Sequence, residues 1–222
     1  MIRLCIFDLD GTLIDSQQDL ADSVNAGLRS EGLPEHELEK FLWFVGNGVV
    51  RMVKDAMPED RRNDEAVFRR TFAVFNAEYN KRCLNKTYVY PGAAEMLDRL
   101  KEAGVSLAVL SNKLQAFTER IVTHYFGDRI DLILGQREGI EKKPAPDGVY
   151  EIMKHFGVTQ EETILIGDSD VDVLTAKNAG ISCLGAGWGF RGKEELDNAG
   201  AELIADNVAE ALRMLMHMVQ IV

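Results

Sequence analysis

Apolar runs recur along the chain at 4–9 (LCIFDL), 106–111 (SLAVLS), 131–135 (DLILG), 163–168 (TILIGD) and 181–185 (ISCLG), with a weaker sixth at 201–206 (AELIAD). They are near-continuous rather than alternating, as strands of a parallel sheet covered on both faces require. Between them, apolar residues return every three or four positions. Met96, Leu97 and Leu100 form one such stripe, and Phe117, Ile121 and Tyr125 another. Val149, Ile152, Met153 and Phe156 form a third, and Val208, Leu212, Leu215 and Val219 close the chain. This period predicts amphipathic helices. Strands alternating with helices predict an α/β fold with a Rossmann-like parallel-sheet core. Met214, Met216 and Met218 fit as packing residues of the last helix.

The first crossover breaks the rhythm. The first strand ends near Asp8, and the next begins near Val105. A simple crossover needs far fewer residues. The gap holds three helical patterns: Leu20, Val24 and Leu28; Leu42, Val45, Val49 and Met52; Phe68, Phe72, Phe75 and Tyr79. Residues 16–84 are therefore expected to form a separate helical insert, or cap. Residues 1–15 and 85–222 form the α/β core, with Pro91 placed to start a helix on re-entry.

Charge and cysteine content narrow the functional classes. The 222 residues carry 25 Lys and Arg against 36 Asp and Glu, a formal charge of -11. That balance argues against nonspecific nucleic-acid binding. The three cysteines, Cys5, Cys83 and Cys183, are odd in number and widely spaced, which argues against a disulfide framework. The opening apolar stretch is short and broken by Asp8, and no stretch reaches the length of a membrane span. The expected setting is cytoplasmic, without membrane or nucleic-acid partners.

The candidate chemistry falls at strand ends. The first strand delivers Asp8-Leu9-Asp10-Gly11-Thr12 at its C-terminal end, where open parallel sheets bind ligands. Two acids beside an apolar strand are costly unless charge, metal or proton transfer uses them. The second strand ends in Ser111-Asn112-Lys113, where a hydroxyl and local N–H groups can meet a phosphate or simply cap the next helix. The fourth ends in Gly167-Asp168-Ser169-Asp170-Val171-Asp172. A helix dipole explains one acid there well and three less well; three acids so close together are a candidate magnesium site, since Mg²⁺ prefers oxygen donors. Lys142-Lys143-Pro144 lies just upstream and can neutralise a phosphoryl group or a nearby carboxylate.

Together DLDGT (8–12), SNK (111–113), KKPAP (142–146) and GDSDVD (167–172) resemble the haloacid-dehalogenase-like superfamily, in its phosphatase branch. The helical insert is similar to that superfamily's small α-helical cap. VGNGVVR (45–51), YPGAAEML (90–97), VLSNK (109–113) and GAGWGFRG (185–192) are less specific and resemble phosphoglycolate phosphatases. The resemblance implies that Asp8 is the nucleophile that becomes an aspartyl-phosphate, and Asp10 the general acid/base. It implies phosphate binding by Ser111, Asn112, Lys143 and Thr12. It implies Mg²⁺ as cofactor, held by Asp8, the Asp10 carbonyl, Asp168 and Asp172. Asn47, Gly48 and Arg51 are the substrate contacts expected from the cap, although Arg51 reads equally as a solvated helix residue.

The second aspartate argues for phosphoryl transfer over dehalogenation, because a departing halide needs no proton. The expected partner is a small phosphorylated metabolite, 2-phosphoglycolate first. Inorganic pyrophosphate, another small phosphoester, a phosphomutase reaction and a non-enzymatic binding role remain the alternatives. The protein is expected to be a monomer or a homodimer. Trp188-Gly189-Phe190 reads as packing, as a border of the site entrance or as support for the magnesium loop. Cys5 reads as core, and the four scattered histidines carry no ligand spacing.

Overall fold

The structure is a computed structural model that describes residues 1–46 and 48–220. The chain divides into two compact units, Met1–Ile14 with Val89–Val222, and Asp15–Tyr88. The first unit opens with β1 (Leu4–Phe7), and β2 (Ile14–Asp15) leads out of it. The second unit carries α1 (Gln17–Ser30), α2 (Leu38–Phe44), α3 (Val49–Ala56) and α4 (Glu65–Arg82). After β3 (Tyr88–Val89), the first unit continues through α5 (Ala93–Glu102), β4 (Ser106–Leu114), α6 (Gln115–Phe126) and β5 (Leu132–Gln136). It then runs through α7 (Asp147–Phe156), β6 (Thr163–Gly167), α8 (Asp170–Ala179) and β7 (Ser182–Ala186). It ends with α9 (Gly192–Ala199), β8 (Leu203–Ala205) and α10 (Val208–Gln220).

Six strands form one sheet in the order β5-β4-β1-β6-β7-β8, every neighbouring pair parallel. This is the α/β fold that the apolar runs predict. Leu4, Cys5, Ile6 and Phe7 are fully buried on both faces of β1, and each large side chain contributes roughly 1.5–3 kcal/mol by burial. Register fixes the geometry of the site. Phe7 pairs with Val109 on one side and Ile166 on the other. The C-terminal ends of β1, β4 and β6 therefore lie side by side, at the point where the strand order reverses.

Two elements differ from the sequence expectation. The second strand continues through Ser111-Asn112-Lys113 to Leu114, with a register irregularity between Leu110 and Leu114. Its polar tip is strand: the β1 ladder ends at Val109, and the β5 ladder resumes beyond the tip, where Leu114 pairs with Gln136. The stripe Leu42, Val45, Val49 and Met52 is not one helix but two, α2 and α3. Gly46 (φ 113°) and Gly48 (φ 84°) occupy left-handed backbone that a continuing helix does not use.

The helical unit has its own packing logic. Gly27 lets α1 approach α4: a Cβ there would sit 2.6 Å from the Thr71 carbonyl oxygen. Phe75 and Tyr79, both fully buried on α4, stack at 5.7 Å. Asp64 caps α4 by accepting from the Ala66 and Val67 N–H groups, both at 3.1 Å. The buried Asp19 of α1 accepts from Lys86 N, Thr87 N and Thr87 Oγ1, each at 2.9 Å, which ties the returning chain to α1.

Candidate active site

The α/β unit gathers its charged residues at the shared strand ends. Asp8 follows β1, Asp168 follows β6, and Asp172 lies in the first turn of α8. All three are buried, and each offers a carboxylate oxygen within 4.8 Å of the others. Lys143 reaches into this group from the loop before α7. Its Nζ donates to Asp172 Oδ1 at 2.6 Å and lies 2.9 Å from Asp8 Oδ1. Its neighbour Lys142 is exposed.

The local sequence explains the approach. A Cβ on Gly11 would fall 2.2 Å from Asp168 Oδ2, and a Cβ on Gly167 would fall 2.2 Å from Asp172 Cγ. Gly11 also has φ 88°, so the turn after Asp10 suits glycine twice over. Ser169 and Asp172 form a reciprocal capping box at the start of α8. Asp172 Oδ2 accepts from Ser169 N at 3.2 Å and Oγ at 2.8 Å. Asp172 thus caps the helix and holds Lys143 at once, while Asp170 is the exposed acid that merely meets the dipole.

Burial and mutual repulsion dominate the electrostatics. Desolvation pushes the Asp8 carboxyl up to about 6, against the attraction of Lys143 and with added repulsion from Asp172 and Asp10. Asp168 is driven well above the carboxylate range by burial, then by Asp172 and Asp8. Burial opposes the charge on Lys143, but Asp172 and Asp8 outweigh it and raise the ammonium's proton affinity. Three buried carboxylates against this one lysine leave excess negative charge. The donor set is all hard oxygen, which fits Mg²⁺. With Lys143 and Ser169 counted, Asp172 has about one of its roughly four acceptor positions left; Asp168 accepts Phe190 N on Oδ2 at 2.9 Å.

Asp10 also belongs to the constellation. Lys113 Nζ, at the end of β4, lies 2.5 Å from Asp10 Oδ1. Ser111 and Asn112 are buried beside it. Asn112 Nδ2 donates to the Lys143 carbonyl at 3.0 Å, linking the β4 tip to the lysine loop. Ser111 Oγ accepts from Lys113 N at 3.3 Å. Thr12 is fully buried; its carbonyl accepts from Trp188 Nε1 at 3.1 Å, and its Oγ1 has no hydrogen-bond partner among the described residues. The loop after β7 is thus a clamp: Trp188 holds the β1 loop and Phe190 holds Asp168. Gly189 permits this, since a Cβ there would lie 2.2 Å from Asp168 Cβ.

Two of the remaining expected residues belong to the other unit. Gly48 and Arg51 are in the helical unit, where Arg51 Nε donates to Asp55 Oδ2 at 2.6 Å, one turn along α3. Asn47 lies outside the described residues. Sequence reasoning left two contributors unassigned, Lys113 and the Phe190 N–H. Lys113 stood inside the SNK run; a backbone donor has no residue signature. Cys5 is fully buried in β1, where burial pushes its thiol far up and suits a core role. No helix among the described residues is long and apolar enough to cross a membrane.

Comparison with known proteins agrees with this geometry. The family model for haloacid dehalogenase-like hydrolases matches residues 5–186. A phosphoglycolate phosphatase of Pseudomonas putida is 34% identical over 95% of this chain and 78% of its own length. One from Colwellia psychrerythraea is 32% identical over 95% of each chain. A crystal structure from Lactobacillus delbrueckii subsp. bulgaricus, proposed to be a phosphoglycolate phosphatase, is 31% identical. It superposes with a TM-score of 0.91 over 96% of this chain and 98% of its own. The chain belongs to the haloacid dehalogenase-like hydrolase family, in its phosphatase branch.

Proposed function

We propose that the protein hydrolyses a small phosphomonoester through a phosphorylated Asp8, with 2-phosphoglycolate as substrate. One observation carries this reading: a buried carboxylate, Asp8, stands 2.9 Å from a buried lysine and among two further acids, with Asp10 two residues on. In the first step an Asp8 oxygen attacks phosphorus and the bond to the leaving oxygen breaks. Asp10 gives that oxygen its proton. In the second step water attacks the phosphorus and Asp10 takes the water's proton. The bond to Asp8 breaks, its electrons return to the carboxylate, and inorganic phosphate leaves.

Lys143 supplies positive charge beside Asp8, where an anion must approach an anion. Ser111, Asn112 and Thr12 are the neutral donors proposed for the phosphate oxygens. Asp8, Asp168, Asp172 and the Asp10 carbonyl would hold Mg²⁺, which when bound supplies the divalent charge that offsets the excess of carboxylates. Choice of phosphoglycolate rests on the relatives and on Arg51 as a candidate for the substrate carboxylate.

The test is release of inorganic phosphate with Mg²⁺ over a concentration series of 2-phosphoglycolate, with pyrophosphate in parallel. A higher kcat/KM for phosphoglycolate supports the assignment. Faster pyrophosphate turnover keeps the mechanism and overturns the substrate.

A further inference from the structure

Two buried lysines serve this site, and only one has a role above. Lys113 is the penultimate residue of β4, whose neighbour, β1, leads into the Asp10 turn. Its side chain is 2% exposed, and that of Asp10 is 12% exposed. An ion pair so far from water loses hydration on both sides, so as a stability device it roughly breaks even at best. Ordering a lysine stem costs up to about 2 kcal/mol of rotamer freedom. The arrangement makes sense if its product is a fixed carboxylate. Asp10 needs fixing: it sits in a turn, and Gly11 after it has the left-handed φ of 88°.

We propose that Lys113 is a positioning residue for Asp10, reaching across from β4 to fix its carboxylate for proton transfer. The inference rests on Asp10 being the acid/base group. The leaving oxygen takes its proton from the held carboxyl as its bond to phosphorus breaks. The carboxylate then takes a proton from water as the water oxygen bonds to phosphorus and the bond to Asp8 breaks. Both transfers use one group at one place, which a swinging carboxylate would not provide. The two lysines divide the work: Lys143 holds Asp8 and Asp172, and Lys113 holds Asp10.

A double-mutant cycle tests this. Lys113→Met and Asp10→Asn are made singly and together, and turnover of 2-phosphoglycolate with Mg²⁺ is measured alongside inhibition by inorganic phosphate. Lys113→Met is expected to lower kcat about 30- to 100-fold, toward the lower end of what acid–base catalysis supplies. KM and the phosphate inhibition constant stay within about two-fold, because the lysine does not act by binding phosphate. Lys113→Arg restores part of the loss, since a guanidinium can still donate to Oδ1. In the Asp10→Asn background Lys113→Met costs no more than about two-fold. Lys113→Gln, which keeps a donor without the charge, replaces the methionine variant if that variant does not fold.

A single variant as fast as wild type overturns the inference. So does a loss carried by KM and phosphate inhibition, or an equal loss in both backgrounds. If Asp10→Asn itself turns over at the wild-type rate, Asp10 is not the acid/base group and the mechanistic reading falls with it.

Discussion

Replacing the proposed nucleophile should make the metal-free protein more stable. Asp8→Asn removes one of three crowded buried carboxylates with almost no change of volume, and Lys143 keeps Asp172 as its partner. The Asp8 carboxyl moves from 3.8 to about 6 on folding, chiefly through burial. At roughly 1.4 kcal/mol per pH unit, that displacement is about 3 kcal/mol against the ionised native state at neutral pH. The sign follows from linkage: an acid with raised folded pKa contributes stability while protonated and loses it as pH rises through about 6. For a chain of this length, about 3 kcal/mol corresponds to roughly 6–12 °C in Tm. The assay is thermal melting with EDTA from pH 4 to pH 8. Trp188 fluorescence in a Trp43→Phe background reports the α/β unit. Asp8→Asn should melt higher at pH 7.5, and the gap should narrow toward pH 4, where Asp8 is protonated in the native state. Mg²⁺ should stabilise wild type more than the variant. A variant that melts lower than wild type at pH 7.5, or a gap that is flat with pH, would refute the electrostatic account.

Two further substitutions test the supports of the site. Gly189→Ala puts a methyl group 2.2 Å from Asp168 Cβ and 2.5 Å from the Gly11 carbonyl oxygen. It should displace Asp168, raise the Mg²⁺ concentration for half-maximal activity at least about ten-fold, and cost about 1–3 kcal/mol by overpacking. Titration of activity with Mg²⁺, beside a urea melt, checks both. Gly27→Ala brings a Cβ to 2.6 Å from the Thr71 carbonyl. It should lower stability by about 1–3 kcal/mol through forced separation of α1 and α4, seen as a lower urea midpoint by Trp43 fluorescence. Unchanged melting in either variant would show that the close approach is not required.

The sheet was legible because each strand is an apolar run too short for a helix, and parallel strands bury both faces. The acids were legible for a complementary reason: Asp8, Asp10, Asp168 and Asp172 stand directly after such runs, where no core can neutralise them. Position relative to a strand end carried the information. The pairing of Lys113 with Asp10 was not legible, because it spans β4 to the loop after β1. It depends on how far a flexible side chain reaches, which spacing does not encode. The Phe190 contact to Asp168 was hidden more deeply, since it uses a backbone N–H. The division between α2 and α3 was blurred because Val45 and Val49 continue an apolar stripe across glycines that end it. Asp172 shows that two readings can both hold, since it closes a capping box and accepts from the buried Lys143 with the same carboxylate.

The central claim is transfer of the phosphoryl group to Asp8. Its most direct test is acid quenching during turnover of 2-phosphoglycolate with Mg²⁺, followed by peptide mass mapping. The account predicts phosphate on the peptide that contains Asp8 in wild type, more of it in Asp10→Asn, where hydrolysis of the intermediate is slowed, and none in Asp8→Asn. Phosphate release that persists in Asp8→Asn, or a phosphorylated residue other than Asp8, would contradict it.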